Sequence, residues 1–265
     1  MQPAILTSKK IGVFFAACSL ALASQAQVID PLTGSVAGYT TTAILDNGLG
    51  NGAGVSFASS ASGLSGSYTG PGATAEQSLF WAPASSFSTT FAVGKRLLVN
   101  VAIPTSSTQM DFGLAIAATP VAASAGNTWN SRTLFDYATV SYRPSQTAIR
   151  ANTSISGTLV SGNGVIGGVA APTVQSLYID WNSPLTFTLG YIDSSLVDHI
   201  SETVTFNSGS LIGTDIGFYG DLRNAGGTTL GFFNNLTITP VPEPSTLALC
   251  GMGLARLFAV VRREK

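Results

Sequence analysis

The sequence has few charged side chains, only two cysteines and a single histidine. Charged residues make up 9% of its 265 residues, and the cysteines, Cys18 and Cys250, lie near the two ends. The stretch from Gln27 to Val241 therefore has no disulfide, no cysteine nucleophile and no cysteine metal site. One histidine, His199, leaves no histidine pair for zinc or copper. Stability of the central stretch has to come from packing and from sheet hydrogen bonds.

The few charges of this central stretch are mostly acidic. It carries six basic residues against eleven acidic ones, which gives a net charge of −5. Nucleic-acid binding needs a clustered basic face, and this balance argues against it. Ser, Thr, Asn and Gly supply the polarity instead, and such a hydroxyl-rich composition is compatible with a polysaccharide matrix.

The N-terminus has the three parts of a secretory signal peptide. Lys9 and Lys10 form a positive region, and an apolar region follows from Ile11 to Ala23. Ser24 and Ala26 then place small residues at the −3 and −1 positions, which predicts cleavage before Gln27. A lipoprotein cleavage box ending at Cys18 is the alternative, and it would place a lipid on that cysteine.

The C-terminus carries a second targeting pattern. Two prolines at 242 and 244 keep the chain extended before an apolar run from Thr246 to Val261. As a helix this run would span about 24 Å against about 30 Å of hydrocarbon. Arg256 interrupts it, and basic residues follow it, which predicts a cytoplasmic C-terminus by the positive-inside rule. A short, charge-interrupted segment of this kind favours a temporary anchor.

This order of segments resembles the PEP-CTERM sorting tail of Gram-negative, biofilm-forming bacteria. The resemblance implies processing by the membrane protease exosortase, a transient stay in the inner membrane, and then the cell surface or an exopolysaccharide matrix. It implies a sorting motif of Pro242, Glu243, Pro244 and Ser245 and a basic stop of Arg262, Arg263 and Lys265. An ordinary single-pass anchor is the alternative.

Between the two ends, short β-rich runs separated by Gly, Ser, Asn and Pro predict an all-β fold. Three runs alternate clearly: Arg96–Ile103, Pro184–Ile192 and Leu230–Ile238. We expect inward rows of Leu97, Val99, Val101 and Ile103, of Leu185, Phe187, Leu189 and Tyr191, and of Leu230, Phe232, Asn234, Leu236 and Ile238. Further strands are predicted over Ser35–Leu45, Gln77–Trp81, Phe87–Val93, Met110–Ala117, Thr133–Tyr142, Thr147–Ile155, Gln175–Trp181 and Ile216–Tyr219.

About a dozen strands with one apolar and one polar face predict two packed antiparallel sheets, a β-sandwich. The predicted organisation is a signal peptide over 1–26, a sandwich over 27–240, and a sorting tail over 241–265 with a hydrophobic helix over 246–261.

The last third of the predicted sandwich resembles the concanavalin-A-like lectin and glucanase jelly roll. A hairpin of that family is similar to Tyr191-Ile192-Asp193 followed by a tight turn and Leu196-Val197. The segments Ile216–Gly220 and Phe233–Ile238 resemble two of its later strands, with Asn234 where the family has aspartate. The resemblance implies a jelly-roll-like sandwich.

The central stretch has no recognisable catalytic set and predicts no cofactor. Jelly-roll glucanases place paired carboxylates on one strand, whereas this stretch has only two glutamates, Glu76 and Glu202. His199, with Asp198 beside it, fits a surface position better than a catalytic one, because no Gly-x-Ser-x-Gly motif presents a nucleophile. Asp46, Asn47 and Asn51 could supply oxygens to calcium, but their spacing fits a plain turn better.

Glycan binding would depend on exposed aromatic rings beside hydrogen-bonding groups. Trp129, in a polar loop-like stretch, is the best candidate, whereas Trp81 and Trp181 end strands and favour core or rim packing. The sequence as a whole predicts an exported, non-enzymatic surface or extracellular-matrix protein. A carbohydrate-binding module of the exopolysaccharide matrix is the alternative.

Overall fold

The computed structural model describes residues 26–36, 38–46, 55–68, 75–87, 90–103, 109–118, 135–161, 164–207, 212–223 and 228–241. The chain divides into a compact unit, Gln27–Thr239, and a second unit formed by Met1–Ala26 and Pro240–Lys265. Of the second unit, only Ala26, Pro240 and Val241 are among the described residues, so the predicted tail helix lies outside them. Within the described ranges, no helix has the length and apolar character needed to span a bilayer.

The compact unit is built from strands that form two sheets. In chain order the strands are β1 Gln27–Asp30, β2 Thr40–Asp46, β3 Val55–Ser60, β4 Gly63–Tyr68, β5 Ala75–Pro83, β6 Lys95–Ala102, β7 Gln109–Ala117, β8 Tyr137–Arg143, β9 Ala148–Ile155, β10 Thr158–Ser161, β11 Val174–Ser183, β12 Thr186–Asp193, β13 Asp198–Thr205, β14 Asp215–Arg223 and β15 Thr228–Pro240. In the described ranges, helical structure is limited to single 3₁₀ turns at Ala84–Ser86, Pro144–Gln146 and Ala171–Thr173.

The first sheet, sheet A, has the order β13-β12-β11-β6-β15-β4-β3, and β1 pairs with β15. The second sheet, sheet B, has the order β10-β9-β8-β7-β14-β5-β2. Pairing is antiparallel, as in β11 with β12 and β7 with β14. Strands far apart in sequence are thus neighbours, and the architecture is the predicted two-sheet antiparallel β-sandwich.

The core lies between the two sheets and follows the alternation of the strands. Leu97 and Val99 of β6 are fully buried, as are Phe187 and Leu189 of β12, which confirms two of the predicted inward rows. Rings from both sheets meet in the middle, where the centroids of Phe112 and Phe233 are 3.8 Å apart. Burial of side chains of this size contributes about 1.5–3 kcal/mol each, and this packing stabilises a stretch, Gln27 to Val241, that has no cysteine to form a disulfide.

The predicted inward row on β15 is confirmed at Leu236 and Ile238, which are buried in the core, but it is wrong at Phe232 and Asn234. Phe233 is fully buried, whereas Phe232 and Asn234 are only half-buried. The cause is a pair of irregularities: the pairing with β4 shifts at Gly231, and Asn235 adopts a φ of 52°. An extra residue of this kind lets Phe233 and Leu236 both face the core although they are three positions apart.

Other predicted strands need correction. Phe87–Val93 is not a strand in its described part; Phe87 follows a 3₁₀ turn, and Phe91 fills a core position against Trp181 at 5.3 Å. The predicted strands at Ser35–Leu45 and Thr133–Tyr142 begin later, at Thr40 and Tyr137. The hairpin of β3 and β4 was not predicted at all.

β13 forms one edge of sheet A and carries a bulge. Its pairing with β12 shifts between Ile200 and Glu202, so that Ser201 is an extra residue. The Ser201 hydroxyl donates to the carbonyl of Gly164, which joins this edge to the segment before β11.

Candidate functional site

The face of sheet B that points away from the core carries charged and polar side chains at one end. Asp111 on β7 accepts two hydrogen bonds from Arg143 on β8, from Nε at 2.7 Å and from Nη2 at 2.5 Å. Nη1 of Arg150, on β9, lies 3.6 Å from the same carboxylate. The register of these strands brings the three side chains together although up to 39 positions separate them in sequence.

Next to this cluster, β9 presents polar atoms that lack partners. Arg150, Asn152 and Ser154 alternate with the core residues Ile149 and Ala151, so they share the outer face. Nε of Arg150 and Oγ of Ser154 are buried and have no hydrogen-bond partner. We call Asp111, Arg143, Arg150, Asn152 and Ser154 the polar end of sheet B.

The neighbouring hydroxyls on β8 are already used. Thr139 donates to the carbonyl of Asn152, and Ser141 donates to the carbonyl of Arg150. These bonds join β8 to β9, so that on the outer face of these two strands the buried atoms without a hydrogen-bond partner are Nε of Arg150 and Oγ of Ser154.

The rest of this outer face is apolar and buried. It forms a second hydrophobic cluster made of Leu79, Trp81, Ala115, Ala117, Phe135, Tyr137 and Tyr219. Phe135 covers Trp81 edge-on, with ring centroids 5.5 Å apart. Trp81 is therefore a packing residue, as the sequence favours, and so is Trp181, which packs between Phe91 and Phe187.

The outer face of sheet A holds a second ion cluster, which ties three strands together. Arg96 on β6 donates to both oxygens of Asp180 on β11, at 2.6 and 2.9 Å, and pairs with Asp198 on β13 at 2.7 Å. Its guanidinium lies 3.8 Å above the ring of Tyr178. Burial raises the pKa of the Asp180 carboxyl and is only partly opposed by Arg96. With every charged partner engaged in this way, the cluster is structural.

His199 does not pair with its neighbour Asp198. Its Nε2 lies 2.8 Å from Oδ2 of Asp193, and its ring stacks on Tyr191 at 4.6 Å. Adjacent strand residues point to opposite faces, so Asp198 meets Arg96 while His199 meets Asp193 across the hairpin. The hydrogen bond from His199 lowers the pKa of the Asp193 carboxyl, which also accepts from the amides of Ser195 and Val197.

Most residues that the sequence singles out lie outside the described residues. These are Ser24, Trp129, the sorting motif Pro242, Glu243, Pro244 and Ser245, and the basic stop Arg262, Arg263 and Lys265. Ala26 is described and exposed. Asp46 ends β2, while Asn47 and Asn51 also lie outside. Across the described ranges, no three His, Cys, Asp or Glu side chains gather closely enough to hold a metal ion.

The polar end of sheet B was missed by sequence reasoning, although one signal pointed to it. The predicted strand Thr147–Ile155 alternates, which already places Arg150, Asn152 and Ser154 on one face. The pairing of that face with Asp111 and Arg143 depends on strand order, which the sequence does not display.

Comparison with known proteins gives similarity of structure only. No family model and no curated protein matches the sequence. The carbohydrate-binding module CBM66 from Bacillus subtilis is similar with a TM-score of 0.42 and 11% identity, covering 76% of this chain and 95% of that one. The metal-free exoplasmic/lumenal domain of VIP36 is similar with a TM-score of 0.47 and 10% identity, covering 83% and 95%.

The lectin UEA-II, solved with galactose, is similar with a TM-score of 0.45 and 10% identity, covering 81% of this chain and 98% of the lectin. Likeness at this level carries no argument about ligands. The class of protein is set by the strands themselves: a two-sheet antiparallel β-sandwich with an ion cluster on the outer face of each sheet.

Proposed function

We propose that the chain binds carbohydrate, without catalysis, at the polar end of sheet B. The observation that carries this proposal is the pair of buried, unpartnered atoms on one face of β9, Nε of Arg150 and Oγ of Ser154. Buried polar groups are hydrogen-bonded in about nine cases out of ten, and leaving one unpaired costs about 1–3 kcal/mol. A ligand rich in hydroxyls supplies such partners, with Asn152 between the two offering both donor and acceptor groups.

The state of the ionisable side chains supports binding over turnover. Asp111, Asp180 and Asp193 are each engaged by a cationic or imidazole partner, and His199 is held by Asp193 rather than by a hydroxyl nucleophile. Acid–base catalysis on a sugar needs two carboxylates that face each other across the bond to be cleaved. A described carboxylate that is tied to an arginine at 2.5–2.7 Å fits a binding or structural role better.

A glycan array probed with the full chain tests this proposal. The array includes the exopolysaccharide of the source cell, and the variants are Ser154→Ala and Asn152→Ala. Each variant is expected to weaken binding at least three-fold. Thr205→Ala is the matched control, because Thr205 is an exposed hydroxyl on the outer face of the other sheet and should leave binding unchanged.

Failure of every glycan on the array to bind the wild-type chain would end the proposal. So would equal binding by wild type, Ser154→Ala and Asn152→Ala, because the ligand would then be held elsewhere.

We further propose that the chain is exported and then sorted by exosortase through Pro242, Glu243, Pro244 and Ser245. The residues at the two ends support this: a positive, then apolar, then small-residue N-terminus, and a proline-rich motif followed by an apolar run and a basic stop. Export would place a glycan-binding sandwich among surface and matrix polysaccharides.

The intact mass of the protein recovered from the cell surface and medium tests the sorting step. A species that begins at Gln27 and ends near Pro242, with or without an added group, is expected. A species that keeps Arg262 to Lys265 would show an ordinary membrane anchor, and a lipidated Cys18 would show a lipoprotein.

A further inference from the structure

β3, Val55–Ser60, forms the edge of sheet A opposite β13, and among the described residues no strand pairs with its outer side. Its six residues all pair with β4 without a shift in register. The strand contains no charged residue and no proline. Natural proteins usually guard a sheet edge with a charge, a proline, a bulge or a very short strand. β3 has none of these features.

The other described edge strands each have such a feature. The pairing of β13 with β12 shifts at Ser201, and the pairing of β2 with β5 shifts between Ala43 and Leu45. β1 and β10 are only four residues long, and the pairing of β1 with β15 is irregular as well. Among the described strands, β3 is therefore the edge that is regular, uncharged and longer than four residues.

The backbone of β3 directs alternate residues towards β4 and towards the open side. The carbonyl of Ala58 points at β4, because it accepts a hydrogen bond from the Ser65 hydroxyl at 3.2 Å. By alternation, the N–H and C=O groups of Val55, Phe57 and Ser59 point to the open side. These three residues therefore present the donors and acceptors with which a further strand can pair.

The inner face anchors β3 without using these backbone groups. The ring of Phe57 stacks on Phe80 of β5, with centroids 5.1 Å apart, and the Ser59 hydroxyl donates to the carbonyl of Gly34. Both contacts are made by side chains. The strand is thus fixed on the sandwich, while its outward N–H and C=O groups have no partner among the described residues. The outer-face residues of β3 are exposed: Ser56, Ala58 and Ser60.

We infer that β3 pairs antiparallel with β3 of a second copy of this chain, so that the two copies of sheet A become one continuous sheet. The register centred on Phe57 uses all of the outward groups, because it places Val55 of each copy opposite Ser59 of the other. Two identical strands without charge meet with no repulsion between like charges. The half-buried Phe57 then lies opposite its own copy, and the pairing covers part of the surface that each ring still exposes.

The pairing closes at two copies. Each copy contributes the same strand, so the contact is two-fold symmetric and uses the regular edge of both molecules at once. The remaining described edges are shifted in register or only four residues long, which leaves no equivalent edge for a third copy. The dimer is independent of the carbohydrate binding proposed above, because the polar end of sheet B belongs to the other sheet.

Light scattering on a dilution series of the full chain measures the association. We expect a dimer that dissociates on dilution. Ala58→Lys should raise its dissociation constant at least ten-fold, because it places like charges close to each other across the two-fold axis. Thr205→Lys adds the same charge to the outer face of β13, where Thr205 is exposed, and should change the constant by less than two-fold. Thermal unfolding verifies that both variants keep the fold.

Introduced cysteines test the register. The full chain with Cys18→Ser and Cys250→Ser contains no thiol. In the proposed register, position 56 of one copy lies opposite position 58 of the other with Cα atoms about 4.5 Å apart, which is within reach of a disulfide. Oxidation of a mixture of Ser56→Cys chains and Ala58→Cys chains should therefore give the mixed disulfide dimer. The matched control mixes Thr203→Cys with Thr205→Cys on β13 and should give none.

Three results would overturn the pairing through β3. The first is a monomer at every concentration of the dilution series. The second is equal association of wild type and Ala58→Lys, which would place the contact between copies elsewhere, including the two ends that all variants share. The third is as much cross-linking from the β13 mixture as from the β3 mixture, which would show random collision of the chains.

Discussion

Arg96 and Asp180 form a two-pronged ion pair between β6 and β11, with both side chains 7% exposed. Asp198 on β13 forms a second ion pair with Arg96, and its side chain is far more exposed, at 40%. The same arginine therefore has one buried partner and one partner at the surface. This difference makes the energetic role of burial measurable within one cluster.

Removing the buried partner should cost much more than removing the exposed one. Asp180→Ala leaves the Arg96 charge buried without its main acceptor, and we expect a loss of about 3–5 kcal/mol in unfolding free energy. Asp198→Ala should cost less than about 1 kcal/mol, because exposed ion pairs contribute little. Urea unfolding of the two variants measures both values. Equal losses would show that the cluster acts as one unit irrespective of burial.

Gly190 lies under the ring of Tyr178, and we expect any side chain there to be destabilising. A Cβ at this position would come within 2.3 Å of the carbonyl oxygen of His199 and 2.4 Å of the Tyr178 hydroxyl. Gly190→Ala should therefore lower stability by about 1–3 kcal/mol through overpacking. Gly167→Ala is the control, because nothing lies within 4 Å of a Cβ there. Thermal unfolding of both variants measures the loss, and an unchanged melting temperature for Gly190→Ala would contradict the close contacts around this position.

Glu202 should make the protein less stable as the pH rises. Burial raises the pKa of its carboxyl, and its Oε2 is buried without a hydrogen-bond partner. The folded state thus favours the protonated carboxyl. The contribution of Glu202 to the free energy of unfolding is therefore complete below the ordinary glutamate pKa of about 4.3, and it is lost as the pH rises through the raised pKa of the folded state.

The variant Glu202→Gln removes this titration. We expect it to be more stable than wild type at pH 7, with the difference shrinking to nothing below about pH 4, where the wild-type carboxyl is also neutral. Unfolding free energies measured across that range test the sign. A variant that is less stable than wild type at pH 7 would mean that the charged carboxylate is favoured.

Asp193 should hold the tip of the β12–β13 hairpin in place. Its Oδ1 accepts hydrogen bonds from the amides of Ser195 and Val197, at 2.8 and 3.0 Å. In Asp193→Ala, hydrogen exchange at these two amides should become faster, whereas amides in the centre of β11 should exchange at the wild-type rate. His199→Ala leaves both bonds intact and serves as the control. Unchanged exchange at Val197 in Asp193→Ala would show that the turn holds without the carboxylate.

How much of the fold could be predicted depended on the size of the apolar side chains. On β6, the alternation of Leu and Val with polar residues predicted the strand and its buried face, and on β12 the row from Phe187 to Tyr191 did the same. The β3–β4 hairpin, Val55–Tyr68, consists mainly of Ser, Gly and Ala, so its two faces look alike in sequence. On β15 the alternation misled, because the irregularities at Gly231 and Asn235 shift which residues face inward.

The candidate site was less predictable than the fold because it depends on contacts between distant strands. The sequence shows Arg150 and Ser154 on one face of a strand but gives no sign that their side-chain atoms lack partners. That property follows from the bonds that other residues make: Arg143 takes Asp111, and the hydroxyls of Thr139 and Ser141 take carbonyls of β9. A pairing of this kind is decided by strand order, which emerges only on folding.

The bulge at Ser201 has a consequence for how copies of the chain can stand side by side. An open sheet edge offers a regular row of amide and carbonyl groups on which a strand of another molecule can grow. At the edge formed by β13, the extra residue interrupts that row, and the Ser201 hydroxyl is turned towards Gly164. A strand of a neighbouring copy would therefore find no regular row of amide and carbonyl groups along β13 with which to pair. Crowded molecules can remain separate there instead of joining into a fibre.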